Sequence, residues 1–135
     1  MAADLGARAF AAARCMIGAR FRPQGYNVAT GLDCVGLVWA AYAAAGRRLA
    51  RPERYPMRGW ERADVEAALR RAGFVPVGDA QAGDVALIAY DAGQFHLGLM
   101  GAGTMVHAHA GLRRVVETPV EEGGELWRLC PPRCE

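Results

Sequence analysis

The spacing of apolar and polar positions divides the chain into two halves with different periods. Leu5, Ala9, Ala12, Ala13, Met16 and Ile17 recur at helical spacing, which predicts an amphipathic helix over 4–17. Asp4 can cap it, Arg8 and Arg14 fall on its other side, and Gly18 ends it. Residues 22–31, Arg22-Pro23-Gln24-Gly25-Tyr26-Asn27-Val28-Ala29-Thr30-Gly31, are rich in turn formers and predict a loop. Val35 to Ala45 is rich in alanine and leucine and closes at Gly46, which predicts a second helix with Asp33 as its N-cap. Residues 46–60 carry Pro52, Pro56 and Gly59 and read as an irregular connection. A third helix is expected over Glu61–Ala72, with Val65, Ala68, Leu69 and Ala72 on one face and Gly73 at its end. Its acids sit early and Arg70 and Arg71 late, as the helix dipole prefers.

From Phe74 onward the runs shorten. Asp84–Tyr90 is apolar on both faces and predicts a central strand. Turns at 91–93 and 101–103 separate it from returning strands over Gln94–Met100 and Thr104–His109. Arg113–Thr118 and Glu125–Leu129 complete an expected antiparallel meander of about five strands. Helices first and strands second argue for an α+β domain spanning residues 1–135, with no repeat and no linker.

Composition narrows this picture only slightly. An apolar content of 53% excludes a disordered chain. All sixteen basic residues are arginine, interleaved with acids to a net charge of +2, so no nucleic-acid partner is expected. No run approaches the roughly 18 apolar residues of a membrane span. The N-terminus lacks a basic segment followed by a clean apolar block. No signal peptide is therefore expected, and the protein is expected to be made in the cytoplasm. Cys15, Cys34, Cys130 and Cys134 lack paired C-x-x-C spacing, so neither a metal site nor a cofactor is expected. Cys15 falls on a helical pattern and is expected to pack. Cys130 and Cys134 are expected as free thiols rather than a disulfide or a metal clip.

Cys34 changes the picture most. It falls in the first turn of the second helix, among unsatisfied backbone N–H groups at the positive end of the dipole. Such a position can lower a thiol pKa from about 8.5 to roughly 3.5–7.5, and the thiolate is the nucleophile. A cysteine is also a small hydrophobe suited to a buried helix, so a base elsewhere must decide. Alternation places His96, Gly98 and Met100 on one face of their strand. Gly98 is costly to a strand, and close approach of another element, such as the Cys34 helix, would explain it. If the next strand pairs as a hairpin, His107 can reach His96 on that face and orient its imidazole. His109 shares the face with His107, and spacing does not choose between them.

Asp33-Cys34-Val35-Gly36-Leu37-Val38, Ala82-Gly83-Asp84-Val85, His96-Leu97-Gly98-Leu99 and Val106-His107-Ala108 follow one another in an order that resembles the NlpC-type papain-like cell-wall cysteine peptidases. The resemblance covers roughly residues 5–118. It implies Cys34 as nucleophile, His96 as general base and His107, rather than His109, as the orienting third residue. It also implies a papain-like fold with the nucleophile helix packed on the sheet. The implied substrate is the peptidoglycan stem peptide, cleaved between γ-D-glutamate and diaminopimelate through a thiol acyl-enzyme. Members of the family usually carry a Pro-Tyr pair upstream of the cysteine; here Phe21 stands in that stretch. Asp33, Phe21, Gln24 and Tyr26 are accordingly the candidate substrate or oxyanion contacts. The chain looks most like short phage- and prophage-associated members, which implies phage tail proteins as partners and delivery by a phage particle or by lysis. The alternatives are a non-hydrolytic tail-assembly or wall-binding protein on the same fold, and a thiol acyl or amide transferase.

Overall fold

The computed structural model describes residues 2–52, 61–90, 94–120 and 124–130. The expected turn at 91–93, the connection over 53–60 and Cys134 lie outside them.

Three helices come first. α1 spans Ala2–Arg14, α2 Cys34–Ala44 and α3 Arg62–Ala72. α1 begins ahead of Asp4, so that residue lies within the helix instead of capping it. Its apolar stripe buries Ala9, Phe10 and Ala13, and the helix packs against α2. Cys15 lies in the turn that follows and is exposed, which corrects the expectation that it packs. α2 buries Val35, Gly36, Leu37, Val38, Trp39, Ala41 and Tyr42. A helix apolar all round must be covered by protein on most sides. Two polar tips on α2 are satisfied by main chain: Trp39 Nε1 donates to the Ala50 carbonyl at 2.8 Å, and Tyr42 Oη to the Gly83 carbonyl at 2.5 Å. α3 buries Val65, Leu69 and Ala72 and ends at Gly73, whose φ of 106° closes the helix in the left-handed region.

The loop between α1 and α2 contains a two-residue hairpin, β1 (Tyr26–Asn27) against β2 (Gly31–Leu32). The main sheet holds β3 (Phe74–Val77), β4 (Val85–Tyr90), β5 (Gln94–Met100), β6 (Thr104–His109), β7 (Arg114–Pro119) and β8 (Glu125–Leu129). Its order is β3-β8-β4-β5-β6-β7, and the pairs are antiparallel. The expected strands are present, but the sheet has six members and is not a simple meander. β8 inserts between β3 and β4, and the extra strand β3 lies at the edge. Pro76 fits there, because an edge strand can spare an N–H.

One face of the sheet meets the helices. Val85, Leu87, Leu97, Leu99, Val106, Ala108, Val115 and Trp127 join the α1, α2 and α3 side chains in the main core. Each fully buried valine or leucine there contributes about 1.5–3 kcal/mol of transfer free energy. On the other face Ala86, Ile88, Met100 and Met105 form a small second cluster, with Leu126 against it. Asp84 is buried and ties β4 to β8: Arg128 donates Nε to Oδ1 at 2.9 Å and Nη2 to Oδ2 at 3.0 Å. The Gly83-Asp84 motif therefore serves the sheet.

Candidate active site

Asp33 caps α2 as the sequence predicts, and it also fastens the preceding loop. Its Oδ1 accepts the Gly36 N–H at 2.8 Å and its Oδ2 the Gln24 N–H at 2.8 Å. Gln24 holds a φ of 63°, a conformation uncommon outside glycine, next to that bond. Gly36 has its own reason to lack a side chain: a Cβ there would strike the Gly25 carbonyl. The loop thus lies directly on the first turn of the helix, which begins at Cys34.

The sulfur sits at a fork in the sheet. β5 and β6 pair only at Leu99↔Val106 and Met100↔Met105, then separate toward His96 and His109. The Leu97 backbone N–H, one residue from His96, lies near the Cys34 thiol and favours its ionised form. Burial pushes that thiol up to about 12, and the Asp33 carboxylate adds to the rise. The backbone N–H groups of Leu97, Val35 and Cys34 act in the opposite direction without overcoming it. The thiol is thus shifted up, opposite to the direction expected from the helix terminus, with burial as the largest cause. His96 is pulled the other way, down to about 3, first by burial and then by His107 and His109. Both groups rest neutral near pH 7.

The structure brings His96 and His107 together. His96 Nε2 and His107 Nδ1 are 2.7 Å apart, and the rings meet edge to face with centroids at 4.8 Å. His107 is buried, and its Nε2 lies 2.9 Å from Thr118 Oγ1 on β7. His109 stacks at a tilt on His107 with ring centroids 5.8 Å apart, and its Nδ1 accepts the Leu112 N–H at 3.0 Å in the β6–β7 turn. Gly98 owes its small size to Met105, not to the Cys34 helix: a Cβ at Gly98 would lie 2.7 Å from Met105 Sδ.

The remaining candidates have other surroundings. Asp33 is fully buried, and both its oxygens bond backbone N–H groups, one in the helix and one in the loop. Phe21 is partly buried against the core and bridges to Leu32. Tyr26 lies under the Arg51 guanidinium, 4.1 Å from its ring centroid. It lines a cavity of about 480 Å³ with Trp39 and Ala43 along α2. Arg20 and Arg22 are exposed. Thr118 had no signal in the sequence, since a threonine near a strand end is ordinary. Among the described residues no cluster of three His, Cys, Asp or Glu side chains is arranged to hold a metal ion, and no helix is long and apolar enough to cross a membrane.

The sequence profile of the NlpC/P60 family matches residues 18–128. No curated protein matches the chain at a significant level. Among solved structures, the NlpC/p60 domain of the peptidoglycan hydrolase SagA superposes with a TM-score of 0.65 at 22% identity, covering 93% of this chain and 98% of that one. An NlpC/P60 family protein from Bacillus cereus gives 0.67 at 21% identity, covering 91% of this chain and 39% of that one. The peptidoglycan hydrolase RipB from Mycobacterium tuberculosis gives 0.61 at 21% identity, with coverages of 94% and 65%. The chain thus spans nearly all of the first and less than two thirds of the other two. At these identities the likeness is one of fold, and it is the papain-like α+β fold expected from the sequence.

Proposed function

Because the chain belongs to the NlpC/P60 family of cell-wall cysteine peptidases, we propose that it hydrolyses an amide bond in the peptidoglycan stem peptide, with Cys34 as nucleophile, His96 as general base and His107 as the residue that orients it. The observation that carries this reading is the His96–His107 contact of 2.7 Å on the strand whose Leu97 N–H lies near the Cys34 thiol. A base must be oriented by a third group while its other nitrogen faces the nucleophile. Because Nε2 engages His107, we assign the proton transfer from the thiol to Nδ1 of His96.

The resting neutral pair sets the order of events. His96 removes the Cys34 proton as the sulfur attacks the carbonyl, so charge separates during the reaction and not before it. The sulfur–carbon bond forms and the carbonyl oxygen becomes an oxyanion, with the Cys34 N–H at the helix start as a donor toward it. The amide C–N bond then breaks as imidazolium His96 protonates the leaving amine. Water, deprotonated by His96, releases the acyl group and restores the thiol. The bond we assign is γ-D-glutamyl–diaminopimelate. Delivery to the wall by a phage particle or by lysis belongs to the same proposal; the relatives named above lend no support to phage tail partners.

The test is mass spectrometry of soluble stem peptides incubated with wild type and Cys34→Ala. Cleavage by wild type alone identifies the bond and supports the reading. Cleavage that survives in Cys34→Ala, or wild-type transfer of the acyl group to an added amine in place of water, overturns it.

A further inference from the structure

We infer that Thr118 is a positioning residue for this reaction, the terminal acceptor of a hydrogen-bond chain that runs His96–His107–Thr118. The inference rests on the peptidase reading and extends it by a residue beyond the Cys-His-His set.

When His96 takes the thiol proton it becomes an imidazolium and carries N–H on both ring nitrogens. Its Nε2 must then donate to His107 Nδ1, 2.7 Å away, and that nitrogen must be bare. A neutral His107 with a bare Nδ1 has its proton on Nε2. The charged state therefore admits one direction of the chain, with His107 Nε2 donating across 2.9 Å to Thr118 Oγ1. The opposite tautomer would set two N–H groups against each other at 2.7 Å just when the charge appears. His107 is only 4% exposed, so water is a poor substitute for the hydroxyl. A buried N–H left without an acceptor is costly, and aligned hydrogen bonds in a low dielectric reinforce one another.

The surroundings hold Thr118 in place. Its strand partner is Met105, one turn of the pleat from His107 on the same face. Next to it, Glu117 accepts Thr104 Oγ1 at 2.7 Å and both Nε and Nη2 of Arg14, at 3.0 and 2.8 Å. β7 is thus fastened to β6 and to α1 beside Thr118.

Two variants and two readouts test this. Thr118→Val keeps the shape and removes the hydroxyl, and Thr118→Ser keeps the hydroxyl. On stem peptides Thr118→Val is expected to lose kcat by about 10–100-fold with KM nearly unchanged, the usual scale for a group that orients a reacting one. Thr118→Ser should recover most of it. Ring-nitrogen NMR of His107 in the free protein should show the Nε2 signal moving in Thr118→Val and returning in Thr118→Ser. Wild-type kcat in Thr118→Val overturns the inference. An inactive wild type overturns the peptidase reading instead, and the spectra then decide for Thr118 alone: unchanged His107 shifts in Thr118→Val overturn its role.

Discussion

The two faces of the sheet contrast in what they bury and in what that burial does. The helix-covered face is dry and continuous, with Leu97, Leu99, Val106 and Val115 locked into one core with the helices. The opposite face has the small Ala86, Ile88, Met100 and Met105 cluster, and on it lie His96, His107 and Thr118. Strand alternation makes this division possible, because adjacent residues serve opposite faces. Leu97 anchors β5 in the core, and its backbone, next to His96, lies at the Cys34 sulfur. Stability and chemistry are thus separated by one peptide unit.

The contrast can be broken from either side. His96→Ala should reduce hydrolysis by roughly a hundred- to ten-thousand-fold, the scale of losing a general base. Its thermal midpoint should stay near that of wild type, because few core contacts are lost. Comparable losses of folding and of activity would mean that the histidine face is structural. Leu99→Ala should do the reverse. It is fully buried in the main core, so the cost is about 2–5 kcal/mol of stability in denaturant titration, with turnover per folded molecule largely kept.

A pH titration of stability sharpens the comparison with a smaller effect. In the unfolded chain His96 titrates near its ordinary 6.5, but in the folded site only near 3. Between those values the unfolded chain binds a proton that the native site refuses. Stability should therefore fall as pH drops below about 6.5, by up to about 1.4 kcal/mol per unit. Cys34 gives the opposite limb: its ordinary value of 9.0 is raised to about 12, so stability should fall as pH rises above 9. His96→Gln should flatten the acid limb and leave the alkaline limb in place. An unchanged acid limb in that variant would place the responsible groups elsewhere.

Local patterns told most of the fold and half of the site. Asp33 before an apolar run located α2 and its cap, and alternation put His96 and His107 on one face. β3 went unseen because Pro76 interrupts a four-residue run, and β8 was placed in sequence order because its insertion between β3 and β4 depends on distant pairing. His107 and His109 share a strand face, and what the sequence cannot show is that His107 is the one within 2.7 Å of His96. The thiol's direction of shift was misread for a similar reason. The helix dipole is visible in a sequence, whereas the packing of a fork between two strands is not.

The most direct test of the account is to quench a reaction of wild type and stem peptide in acid and weigh the intact protein. The account expects an acyl adduct of the released donor fragment, mapped by peptide digestion to Cys34 and lost in Cys34→Ala. Hydrolysis at the wild-type rate with no adduct on Cys34, or with the adduct on another residue, would contradict it.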